Sequence, residues 1–140
     1  MIKRFIFLIF IFSLSFFLYA KDKKNVDKLP LLNTKWVLKE ILEIPVFQTS
    51  DTAFIIFEEN FRVLGNFGCN LFFGEFNFWK RRIKIDFKGA TKKYCADMQL
   101  EEQFSKVIRN EITHYYINNN ELFLLYQNKV VCRFEGSIKN

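Results

Sequence analysis

Side chains able to do chemistry are scarce in this chain. Its 140 residues hold one histidine, His114, and three cysteines, Cys69, Cys95 and Cys132. As a general base, His114 would need a nucleophile and an orienting carboxylate. It sits instead in a strand-like run beside Tyr115 and Tyr116, and the chain has no G-x-S-x-G turn. A metal site would need further ligands, and three scattered cysteines do not make a C-x-x-C pair. The acidic pairs Glu58-Glu59 and Glu101-Glu102 are adjacent in sequence and read as solvated turns or faces. These residues predict no catalytic site, no metal and no cofactor, and so a protein that is not an enzyme.

The cysteines raise the question of compartment. Lys3 and Arg4 precede an apolar run from Phe5 to Leu18, interrupted only by Ser13 and Ser15. Tyr19-Ala20 follows, and polarity then flips at Lys21-Asp22-Lys23-Lys24. A basic start, a short apolar stretch and a small residue at the junction predict a signal peptide over 1–20, cleaved after Ala20. The run is shorter than the ~20 residues that span a bilayer as a helix. Leu18 is large for its place before the junction, which leaves a retained anchor as the alternative. No cysteine lies in or just after the run, so the expected product is periplasmic or secreted, not a lipoprotein, with no membrane span.

In an oxidising compartment two cysteines are expected to pair, but spacing alone leaves the pairing, or three reduced thiols, open. Cys132 alternates with Val130 and Phe134 on the inward face of a strand and reads as a core thiol.

Composition sets further limits. The leader carries two of the 21 basic residues and none of the 15 acidic ones, which leaves the remainder at +4. The basic clusters, among them Lys80-Arg81-Arg82 and Lys92-Lys93, alternate with acidic stretches and accompany no nucleic-acid motif. They read as solvated turns, and no nucleic-acid partner is expected. Residues 21–30, ending in Leu29-Pro30, read as a linker before a single domain over 31–136. A chain of this size buries roughly two-thirds of its unfolded surface, enough for a monomer with one core.

The pattern along that domain is mostly β. Thr34–Leu38 is a strand candidate, Pro45–Asp51 a loop, and Ala53–Phe57 with Phe61–Leu64 a hairpin across Glu58-Glu59-Asn60. A glycine-punctuated break, Gly65–Asn70, precedes the strand Leu71–Trp79, which places Phe72, Phe76 and Phe78 on one face. Gly74 within it predicts a bulge or a close backbone approach. A charged turn at Lys80-Arg81-Arg82 leads to Ile83–Phe87, which alternates strictly. Residues 97–109 put Leu100, Phe104, Val107 and Ile108 on one helical face, with Asp97 as N-cap. Strands at His114–Ile117, Glu121–Tyr126 and Val130–Phe134 finish an α+β chain. Trp36, Phe76, Ile85, Leu100, Phe104, Leu124 and Phe134 are the expected core.

Four segments in order resemble the META domain, or HslJ, family: Leu32-Asn33-Thr34-Lys35-Trp36, Gly68-Cys69-Asn70 running to Gly74-Glu75-Phe76, Thr91-Lys92-Lys93-Tyr94-Cys95, and Leu122-Phe123-Leu124. The motif positions are Trp36, Gly68, Cys69, Asn70, Gly74, Thr91 and Cys95. Lys93-Tyr94 departs from the small or aliphatic residues usual before that cysteine. The resemblance implies a curved antiparallel sheet, partly barrel-like, packed with one main helix. It also implies a Cys69–Cys95 disulfide that leaves Cys132 outside. For function it implies an envelope accessory or stress-related protein acting by binding an envelope protein or component. The alternatives are a carrier of a small apolar ligand, or an inhibitor of an envelope hydrolase. A carrier would line a cavity of roughly 300 Å³ or more with Phe72, Phe76, Phe78 and Phe87; otherwise they fill a solid core.

Overall fold

The computed structural model describes residues 30–47, 52–110 and 112–138. The expected leader and all of the linker but Pro30 lie outside the described residues.

Among the described residues, nine strands and one helix follow in the order β1 (Thr34–Ile41), β2 (Ile44–Pro45), β3 (Phe54–Phe57), β4 (Arg62–Asn66), β5 (Leu71–Trp79), β6 (Arg82–Ala90), α1 (Gln99–Asn110), β7 (His114–Asn118), β8 (Glu121–Tyr126) and β9 (Lys129–Ile138). Neighbours pair antiparallel from β1 through β3 to β9, and β9 pairs back onto β1, so the sheet is ring-like. β2 folds back on β1 alone. The weakest seam is between β6 and β7, which share a single pair, Arg82 with His114.

Alternation decides what faces inward. Along β5, Phe72, Gly74 and Phe76 are buried while Leu71, Phe73, Glu75 and Asn77 are exposed. The core they enter holds Trp36, Phe57, Phe67, Phe104 and Phe134. Helix α1 lays its apolar face, Phe104, Val107 and Ile108, into the ring. Phe104 meets Phe67 and Phe72 edge-on at 5.5 and 6.3 Å and Phe134 at 5.9 Å, so one helix side chain links β5 to β9. The Asp97 carboxylate accepts from the Gln99 amide at 2.9 Å, the capping role expected for it.

Gly74 explains itself at the β5–β6 ladder, whose register shifts between Phe73 and Gly74. A Cβ there would stand 2.5 Å from the Asp86 carbonyl oxygen. The strand bulges where the two backbones approach too closely for any side chain.

Several expectations need correction. Phe78 does not join Phe72 and Phe76 inside: it is 37% exposed, because β5 runs past the core toward its turn. Leu100 is only half-buried, since the first helical turn sits at the rim of the ring. β4 continues through Gly65 and Asn66, which pair with Ile55 and Phe54, so the break is confined to residues 67–70. Ile44–Pro45 pairs as a strand at the start of the expected loop, and β6 runs on to Ala90.

Candidate functional site

The motif residues come from three places in the sequence, and the fold brings most of them to one. After β4 the chain turns within four residues, with the Phe67 amide donating to the Asn70 carbonyl at 2.9 Å. Asn66 supports the turn by accepting from the Gly68 amide at 2.7 Å. Gly68 has φ 118°, outside the range of ordinary side chains, and faces Leu100 of α1. The turn is thereby pressed against the helix.

Asn70 ties this turn to the segment between β6 and α1. Its side-chain oxygen accepts from the Thr91 hydroxyl and the Lys93 amide, both at 2.7 Å. Its amide nitrogen donates to the Lys93 carbonyl at 3.0 Å and to Glu101 Oε1 at 2.8 Å. The other Glu101 oxygen accepts from the Asn70 backbone amide at 2.8 Å. Four bonds use the full capacity of a carboxamide, and the residue is 2% exposed. The Thr91 hydroxyl also accepts from the Leu71 amide at 3.1 Å. Next to this knot Cys69 and Cys95 form a disulfide, with Cα atoms 6.3 Å apart. The expected pairing is the one present, and Cys132 is buried outside it.

Glu101 is the member that the sequence did not reveal. Its adjacency to Glu102 suggests a solvated helix face; Glu102 is exposed, whereas Glu101 turns its carboxylate onto Asn70. No spacing rule links residues 70 and 101, because the contact exists only once the turn docks on the helix. The Lys93-Tyr94 departure also becomes intelligible. Lys93 serves Asn70 through its backbone alone, and the Tyr94 side chain is 92% exposed, so neither side chain is fixed by the knot.

The other motif positions lie elsewhere. The buried Trp36 indole donates to the Leu31 carbonyl at 3.0 Å, and the Thr34 hydroxyl to the Pro30 carbonyl at 2.7 Å. Both fasten the incoming segment to β1. Gly74 sits at the bulge. His114, half-buried at the start of β7, has Nδ1 3.0 Å from the Thr113 hydroxyl. Glu58 and Glu59 turn outward toward Arg62 at 3.9 Å and the Asn33 amide at 2.9 Å. Among the described residues no three His, Cys, Asp or Glu side chains gather as metal ligands would.

The knot forms one wall of an open cleft of about 620 Å³ between β6 and α1. Phe87, Lys92, Lys93, Tyr94 and Arg109 also line it, and the Arg109 guanidinium lies 4.0 Å above the Phe87 ring. A second open cleft, about 340 Å³, runs from Ile44 and Phe47 to Leu100. A third, about 420 Å³, lies beside β7 at Lys80 and Arg81. Aromatic rings pack on one another behind these clefts: Phe67 stacks on Phe72 at 4.1 Å, and Phe57 meets Phe76 edge-on at 4.9 Å. Basic and aromatic side chains are what these clefts present to solvent.

A family model described as META domain matches residues 29–137. An NMR structure of a protein from Burkholderia xenovorans aligns with a TM-score of 0.64 at 16% identity, over 86% of this chain and 99% of that one. Another NMR structure aligns with a TM-score of 0.58 at 23% identity, over 74% and 88%. These likenesses concern the fold. No curated protein matches the chain.

Proposed function

The chain belongs to the META domain family, and from that premise we propose that it is an exported accessory protein of the cell envelope, of the stress-related kind, that works by binding another envelope protein or component without catalysis. One observation carries the reading. The motif residues with chemical reach, Asn70 and Thr91, spend their polar groups on one another and, through Asn70, on Glu101, and the two motif cysteines are joined. What remains for a partner is surface: the open clefts and the exposed aromatics Tyr94, Trp79 and Phe73. Export is supported by the leader pattern of residues 1–20 and is consistent with the disulfide. A monomer without cofactor, and without a nucleic-acid partner, fits the scattered charge.

The carrier reading has less support. Phe72 and Phe76 are packed against other rings, and where Phe87 and Phe72 do line space it is in open clefts at the surface, with Arg109 lying over the Phe87 ring. No feature of its own favours inhibition of a hydrolase.

The test is crosslinking of the tagged full chain in its own host, followed by identification of captured components and mapping of the N-terminus. The reading expects a start at Lys21 and a reproducible envelope partner. An intact Met1 in a cytoplasmic fraction, or an enzymatic turnover by the purified protein, would overturn it.

A further inference from the structure

At the seam between β6 and β7, strands run on with no strand beside them. β6 and β7 share only the Arg82–His114 pair, flanked by two bonds: Ile83 donates to the Thr113 carbonyl at 3.0 Å and Tyr115 to the Arg81 carbonyl at 2.9 Å. The chain of β5 and β6 reverses at Lys80-Arg81, whereas β7 continues past that turn to Asn118. His114 to Asn118 all lie opposite residues of β8, closed by the turn at Asn119-Asn120, while the Tyr115 amide points the other way, to Arg81. Backbone groups alternate sides along a strand, so Ile117 directs its N–H and C=O the same way as Tyr115. On that side, among the described residues, no strand pairs with it. The cleft of about 420 Å³ beside this edge is lined by Lys80, Arg81, Tyr115, Tyr116, Ile117 and Asn118.

We propose that this open edge of β7 takes an extended acidic segment of a partner protein as an added strand; the proposal rests on the binding reading above and names its site and mode. Two independent features select that occupant. The unpaired edge asks for a polypeptide backbone, because a small anion would leave the Ile117 groups unmatched. The side chains ask for negative charge. Lys80 and Arg81 flank the edge, and Lys80 is held 4.4 Å above the Trp79 ring. The nearest carboxylate on the neighbouring strand, Glu121 opposite Asn118, is engaged by Arg133 at 2.9 Å. Pairing of this edge with itself in a second copy would set the two Lys80-Arg81 clusters against each other, which disfavours a homodimer there.

The experiment uses the full chain and a synthetic octapeptide of alternating valine and glutamate, with a valine–lysine octapeptide as control. Amide hydrogen exchange at Ile117 should slow about tenfold or more with the acidic peptide and stay unchanged with the basic one. Binding should weaken as salt rises. The double variant Lys80→Glu/Arg81→Glu, confined to an exposed turn, should lose about tenfold in affinity for the acidic peptide. Three results would each overturn the edge: acidic-peptide binding without protection at Ile117, equal binding of the basic peptide, or self-association through β7. Envelope crosslinking with wild type and double variant separates the two claims. Equal capture of the same partner by both leaves the binding reading standing and removes the β7 site; absence of capture by both, with no protection at Ile117, removes both claims.

Discussion

Replacing Asn70 puts the knot to its most direct test. In Asn70→Ala four hydrogen bonds of 2.7, 2.7, 2.8 and 3.0 Å disappear. A neutral bond contributes a net ~0.5–1.5 kcal/mol and one to a charged group ~1.5–3. A simple sum overstates the loss, because Thr91 and Lys93 are exposed and regain water. The expected cost is therefore about 2–4 kcal/mol, most of it from Glu101 losing its side-chain donor. Asn70→Asp is the sharper variant, since it keeps the shape but exchanges the amide's two N–H donors for a charged acceptor. The new carboxylate would meet both the Lys93 carbonyl and Glu101 Oε1, two acceptors where the amide now donates at 3.0 and 2.8 Å. Two carboxylates so close cannot both ionise cheaply, so one pKa of the pair rises above the unfolded value near ~4. The sign follows from proton binding. Between the unfolded pKa and the raised one, the folded variant holds more protons than the unfolded chain, so its stability falls as pH rises through that window. Relative to wild type, Asn70→Asp should be at least as damaging as Asn70→Ala near pH 7 and should recover as pH is lowered toward ~4. Urea unfolding of the oxidised proteins at several pH values measures this. A loss under about 0.5 kcal/mol for Asn70→Ala would refute the argument, since surface substitutions do no more. So would an Asn70→Asp deficit that does not change with pH.

Breaking the disulfide with Cys69→Ser and Cys95→Ser should cost about 3.5 kcal/mol from chain entropy alone, given the separation of 26 residues, and the double variant should unfold at lower urea concentration; an unchanged midpoint would contradict it. Phe104→Ala empties the fully buried centre of the aromatic cluster and should cost about 3–5 kcal/mol, read as a lowered urea midpoint; a near-zero change would mean that the helix does not carry the core. His114→Ala should leave partner capture unchanged, because its recorded contact is with the Thr113 hydroxyl beside it; an activity that vanished with this side chain would overturn the non-enzymatic reading. The exposed Asp86 carboxyl is held below its usual range by the hydrogen bond and charge of Lys88, so its NMR titration should move up toward the ordinary value in Lys88→Ala.

Strands with strict alternation were legible in the sequence because only one of their faces is buried. Ile83 to Phe87 and Leu122 to Leu124 fall where the pattern puts them, and the helix face of Phe104, Val107 and Ile108 is the one that packs. Alternation misleads where a strand outruns the core: Phe78 keeps the phase of Phe76 but stands at the rim. It is also silent about segments shaped by their partners. Ile44–Pro45 is a strand only because it pairs with Glu40 and Ile41. The disulfide was reached through the family resemblance, not through spacing. The knot was half legible: Asn70 and Thr91 stand in the matched segments, but Glu101 belongs to no local pattern. Its role depends on the turn after β4 docking on α1, a contact across 31 residues.

On the proposed binding reading, the knot is a poor place for a partner. Asn70 is satisfied on all four of its side-chain bonds, Gly68 is fixed by its backbone, and the two cysteines are joined. A partner could engage any of these only by breaking a contact that holds the turn to the helix, at a cost of the order worked out for Asn70. Lys93 and Tyr94 stand in the same segment on different terms. The knot takes the backbone of Lys93 and leaves its side chain, with the ring of Tyr94, directed to the cleft or to solvent. Here the chain departs from the family's small or aliphatic residues, and a larger or charged side chain can be carried without strain on the fold. At Lys80 and Arg81 too the side chains of a two-residue turn are exposed, although the left-handed φ of 57° at Lys80 disfavours β-branched and bulky residues there. Recognition particular to this chain should therefore be sought at such positions, where the fold specifies a backbone path and places little demand on the side chain.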